Sequence, residues 1–192
     1  RQLEVFVFYS GHGLSEADGS DAYFLPVDGD PAILRDTAIS RKRLLLDLAN
    51  INSKSTTLFL DTCYSGVTRN GDSIISGQRR IVITPTGWQG VAPNVSILAA
   101  SSQSETSTGL DERKHGLFSY FLMRGLNGEA DKSPTGNQDG TITLQEIADY
   151  VRPNVSRTAS EKGQKQTPQF LGSSKAVVTQ QSTIGQIMQL NF

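Results

Sequence analysis

The sequence predicts an α/β fold: a mostly parallel sheet with helices on both faces. Three observations carry that prediction. Short, unbroken apolar runs occur at Val5-Phe6-Val7-Phe8, Thr57-Leu58-Phe59-Leu60 and residues 95–100, as in strands buried on both faces. Segments with helical apolar spacing lie between and after them, so the order reads strand, helix, strand, strand, helix, helix. The chain has 192 residues, 36% hydrophobic and 19% charged, enough for one domain with a sizeable core and unlike a disordered chain.

In chain order, the first run is a strand that stops at Ser10-Gly11-His12-Gly13. Residues 14–31 hold Gly19, Pro26, Asp28, Gly29 and Pro31 around Ala22-Tyr23-Phe24-Leu25, which suits a loop or hairpin excursion. Ser40 can cap a helix running to about Asn50, with Leu44, Leu45 and Leu48 on one face. The second strand ends in Asp61-Thr62-Cys63. Residues 64–94 are long, Gly-rich and basic at Arg79-Arg80, which reads as a mobile, functional loop. The third strand ends in Ser101-Ser102-Gln103. Residues 117–126 form an apolar-faced helix, and Thr143-Leu144-Gln145-Glu146 is a capping box for another, which Pro153 should end or kink. Residues 175–178 suit a last strand. The domain is thus expected over 1–180, with a Gln-rich tail at 181–192.

Composition excludes several function classes. A formal net charge of −1 gives no electrostatic reason to expect nucleic acid or an anionic membrane as partner. One cysteine cannot form an internal disulfide or a thiolate-rich zinc site, and two histidines make a catalytic zinc site a poor fit. No apolar run approaches the ~20 residues of a membrane span. The compartment is not legible; a cytoplasmic setting is favoured. Residue 1 is Arg rather than Met, so the sequence is expected to begin inside a longer protein.

In open α/β sheets, function gathers beyond the carboxyl ends of the strands. The only cysteine, Cys63, and one of the two histidines, His12, both fall there, each in a Gly-containing loop. A thiol attacks as thiolate, and a neighbouring imidazole can take its proton. Gly11 and Gly13 allow a sharp turn and close substrate approach, and an N–H beside the nucleophile can hold an oxyanion. A lone cysteine is otherwise a small buried hydrophobe.

Tyr9-Ser10-Gly11-His12-Gly13 and Asp61-Thr62-Cys63-Tyr64-Ser65-Gly66 resemble the two catalytic motifs of the caspase-like cysteine peptidases, most closely the metacaspase and bacterial caspase-like branch. The two residues are 51 positions apart, and in caspases the histidine precedes the cysteine by about 50. Leu98-Ala99-Ala100-Ser101-Ser102, His115-Gly116-Leu117-Phe118-Ser119 and Gln166-Thr167-Pro168-Gln169 resemble further pieces of the same domain, the last standing before its final strand. The resemblance implies a caspase-like three-layer sandwich. It makes Cys63 the nucleophile and His12 its partner, with N–H groups of Gly13 and Cys63 as oxyanion hole. Asp61 and Ser10 match members of the metacaspase specificity pocket. A carboxylate there favours a cationic side chain, which predicts cleavage after Arg or Lys. The rival for Asp61 is a turn-holding carboxylate. Arg79-Arg80 then becomes a candidate self-cleavage site, its rival a solvated surface pair; Arg113-Lys114 is a weaker one. The alternative function is a non-catalytic caspase-like module for regulation or assembly.

The caspase-like sheet normally begins with a strand, a helix and another strand ahead of the histidine-bearing strand, and these are absent. The chain is therefore expected to be the C-terminal part of the fold, with an N-terminal fragment or second chain completing the sheet and a polypeptide as substrate. No cofactor or metal is expected. Calcium activation in metacaspases involves an Asp cluster after the nucleophile, and only Asp72 lies between Cys63 and Val95. Thr135, Asn137, Asp139, Gly140, Ile142 and Glu146 follow EF-hand spacing from its third position on, with Thr at the first; a Gly-containing turn before a capped helix is the favoured reading. Asn94 and Asn154 match the glycosylation pattern by chance, His115 is expected to be structural, and Tyr64 and Trp88 fit either cleft or core.

Overall fold

The computed structural model describes residues 3–15, 21–63, 91–101, 105, 107, 109–110, 115–173 and 175–180. The long loop expected at 64–94 therefore lies outside the described residues up to position 90, as does the tail at 181–192.

A six-stranded sheet forms the middle layer. Strand β1 (Leu3–Ser15) lies parallel to β4 (Ser53–Cys63), and β5 (Val95–Ala99) lies parallel to β4 on its other side. From the end of β1 the chain doubles back as β2 (Ala22–Leu25), which pairs with the short β3 (Ile39–Ser40). Strand β9 (Gln169–Leu171) closes the far edge antiparallel to β5, giving the order β3-β2-β1-β4-β5-β9. So β1, β3, β4 and β5 run one way, and β2 and β9 the other.

Helices cover both faces because β4 alternates its apolar residues between them. Leu58 and Leu60 pack with Phe24, Ile97 and Leu48 of α2 (Arg41–Ala49). Phe59 points the other way, into a cluster with Leu98, α3 (Leu117–Arg124) and α5 (Leu144–Glu161). The Ser40 Oγ accepts the Arg43 N–H at 3.1 Å and starts α2. The expected capping box starts α5: Thr143 Oγ1 accepts the Glu146 N–H, and Glu146 Oε2 accepts the Thr143 N–H at 2.9 Å. A short helical turn, α1 (Leu34–Thr37), follows β2, and α4 (Ala130–Lys132) follows a wide turn at Gly125–Glu129, where Gly128 takes a φ of 104° that favours glycine.

Four expectations need correction. The first strand does not stop at Ser10; it runs through His12 and Gly13 to Ser15, because β4 pairs with it as far as His12 and β2 from His12 onward. Cys63 is likewise the last residue of a strand rather than part of a loop. Helix α5 continues past Pro153, since Val151, Val155 and Ala159 keep one buried stripe that outweighs the lost N–H. The last main-sheet strand is β9, which takes in Gln169 of the Gln166-Thr167-Pro168-Gln169 segment. The later strand β10 (Val177–Gln180) pairs instead with β8 (Thr141–Thr143) in a separate ribbon.

On its outer side β1 pairs with β2 only from His12 to Ser15. Among the described residues, nothing pairs with Leu3 to Gly11 there, and Phe6 and Phe8 are 47% and 56% exposed on the face that α3 and α5 cover further along the sheet. This is the edge at which a completing segment was expected. No helix among the described residues is long and apolar enough to cross a membrane.

Candidate active site

His12 and Cys63 are register partners on adjacent parallel strands. Neighbouring strands lie about 4.8 Å apart, so the topology alone brings two residues 51 positions apart to the same end of the sheet. Register partners also share a face. Phe59 faces α3 and α5, so the alternation of β4 assigns position 61 to that face, with position 10 beside it. His12 is exposed, whereas Gly13 is buried.

Tyr9 holds the histidine-bearing backbone, a role its place in the motif did not reveal. Its ring packs on the α2 side, 4.9 Å from Phe24. Its hydroxyl lies 2.9 Å from the carbonyl oxygens of both His12 and Leu25, which are close neighbours across β1 and β2, and donates to them. Gly11 makes this possible: a Cβ there would lie 2.8 Å from the Tyr9 Oη. Burial raises the Tyr9 hydroxyl's pKa to about 12, while the Leu25 carbonyl lowers it. The legible signal was a tyrosine two residues before a glycine on a strand, the spacing that puts both on one face.

Asp61 is register partner to Ser10 and only 1% exposed. Among the described residues, Ser107 donates to its Oδ1 at 2.8 Å, and Ser119, in the first turn of α3, donates to its Oδ2 at 2.5 Å. A buried carboxylate requires such donors. Neither serine was singled out as a partner from the sequence, because both contacts are long-range. Glu105 anchors the same region: Oε2 accepts the Thr167 N–H at 2.6 Å, and Oε1 accepts the Thr167 hydroxyl at 3.1 Å.

Arg79, Arg80, Asp72, Tyr64, Trp88, Arg113 and Lys114 lie outside the described residues. His115 belongs to a two-residue strand, β7 (His115–Gly116), paired with β6 (Gly109–Leu110). The 135–146 segment folds as a turn feeding α5. Asp139 Oδ1 accepts the Thr141 N–H, Glu146 Oε1 accepts the Asn137 N–H, and Asp131, outside the expected motif, accepts the Gly140 N–H. Those oxygens serve the turn's own backbone, and among the described residues no three His, Cys, Asp or Glu side chains gather as metal ligands would. Asn94 donates to the Ser53 carbonyl and Asn154 to the Tyr150 carbonyl, so both amides have structural uses.

A family model described as the caspase domain matches residues 2–177. Among solved structures, the chain is similar to a protein from Geobacter sulfurreducens, with 17% identity and a TM-score of 0.49, over 91% of this chain and 71% of that one. No curated protein matches the chain.

Proposed function

The chain belongs to the caspase-domain family, and from that premise we propose that it is a cysteine endopeptidase cutting polypeptides after Arg or Lys. The observation that carries the proposal is the register of His12 against Cys63 at the ends of adjacent parallel strands. In this reading the Cys63 thiolate attacks the scissile carbonyl, and the N–H groups of Gly13 and Cys63 hold the oxyanion. His12 protonates the leaving amine, then activates the water that hydrolyses the thioester. Asp61 and Ser10 form the pocket wall one pleat earlier. Self-cleavage after Arg79 or Arg80 follows from the same preference.

The test is hydrolysis of fluorogenic peptides ending in Arg or Lys. Wild type is expected to cleave them, and Cys63→Ala and His12→Ala to lose roughly 10²-fold or more in kcat/KM. Asp61→Ala should lose the preference for basic residues. Retained hydrolysis in Cys63→Ala would remove the thiol from the mechanism. An intact peptide pool together with an unreactive Cys63 in the wild type would favour the non-catalytic module.

A further inference from the structure

Resting on the reading of this site as a peptidase centre, we infer that Tyr9 is a positioning residue for His12, and that residue 11 is glycine to let the Tyr9 hydroxyl through. His12 stands where β1 changes neighbours. From Leu3 to Gly11 its outer edge has no strand partner among the described residues, and at His12 it meets Leu25, the last residue of β2. The end of a ladder opens more readily than its middle, because the last pair is supported from one direction only. The Tyr9 hydroxyl reaches the carbonyl oxygens of this last pair, each at 2.9 Å. One proton shared between two carbonyls ties β1 to β2 at the point where their pairing begins.

The tie has a firm base. The Tyr9 ring packs against the cluster of Phe24, Leu58, Leu60 and Ile97, so the core carries its hydroxyl to a fixed place. The way is open because residue 11 has no side chain: a Cβ there would lie 2.8 Å from Tyr9 Oη and 3.0 Å from Cζ. Gly11 is not among the glycines with left-handed backbone, so what it supplies is room rather than conformational freedom. Holding the His12 carbonyl fixes the backbone of residue 12, and with it the direction of the bond from which the imidazole hangs. A base that must serve a thiol on the neighbouring strand tolerates little drift, since a misplacement of about 1 Å can cost on the order of 10²-fold in rate. The hydroxyl acts through His12 and not on the peptide, so its loss should fall on kcat rather than on KM.

The experiment measures kcat and KM for a fluorogenic peptide ending in Arg, and the rate at which iodoacetamide alkylates Cys63 near pH 6. It compares wild type, Tyr9→Phe, Gly11→Ala and the double variant. Tyr9→Phe keeps the ring and should lose about tenfold in kcat with KM within about twofold. Its alkylation should slow toward the rate of His12→Ala. Gly11→Ala should show the same pattern, because its Cβ displaces the hydroxyl. The double variant should lie within about threefold of Tyr9→Phe, since two lesions of one bond do not add. An unchanged kcat in Tyr9→Phe overturns the inference, as does a loss confined to KM, an alkylation rate equal to that of wild type, or full additivity in the double variant. If Tyr9→Phe does not fold, Gly11→Ala decides alone by the same kcat and alkylation criteria. A wild type that cleaves no such peptide overturns the peptidase reading and this inference together, whereas an active wild type with an unaltered Tyr9→Phe overturns the inference only.

Discussion

Tyr9 lies on the α2 side of β1, yet its hydroxyl passes over Gly11 to the carbonyl of His12. Tyr9→Phe keeps the ring and removes the hydroxyl's hydrogen bonding to both His12 and Leu25, so it should cost roughly 1 kcal/mol of stability. The alkaline limb identifies the cause. The folded state holds the Tyr9 proton from the usual 10.0 up to about 12, so it binds more protons than the unfolded chain in that window, and stability falls as pH rises through it. Chemical denaturation at a series of alkaline pH values should show that decline in wild type and less of it in Tyr9→Phe; identical slopes would mean the hydroxyl is not held as described. At this scale the sequence was legible where chemistry is rare. One cysteine and two histidines left few pairs to consider. Ser107 and Ser119 were not legible as partners of Asp61, because serines are common and the contacts span 46 and 58 residues.

Among the elements, β1 and β4 decide the site. Their apolar centres were readable as strands, but their ends were not. Ser10 to Gly13 and Asp61 to Cys63 look like loop chemistry, and become strand because each has a paired neighbour; pairing is a tertiary fact that local propensity does not contain. Pro153 teaches the same point in a helix, where the buried stripe of α5 outweighs a local breaker. The two capped starts, at Ser40 and Thr143, were legible because capping is local. Strand β1 also makes a prediction of its own. In a strand paired on one side only, alternate N–H groups point to solvent. Over Leu3 to Gly11, hydrogen exchange in this chain should therefore be fast at every second amide and slow at those bonded to β4. Uniform protection would show that the outer edge is covered.

For the molecule as a whole, the three layers have a simple origin: unbroken apolar strands need cover on both faces, and the helical segments between and after them supply it. That much was readable from order and periodicity. Among the described residues the outer edge of β1 is unpaired from Leu3 to Gly11, and Phe6 and Phe8 stand exposed there; an open apolar edge invites association. The separate β8–β10 ribbon was not readable, since nothing local tells which strand a short apolar run will join. What the layers achieve is to carry residues 12 and 63 to one place. The most direct check uses the fact that the chain has one cysteine, so an alkylating reagent reports on Cys63 alone. Iodoacetamide labelling of wild type and His12→Ala should differ about tenfold or more near pH 6, with the gap closing at alkaline pH where any thiol ionises. Equal rates across the whole pH range would mean that the imidazole and the thiol do not act together.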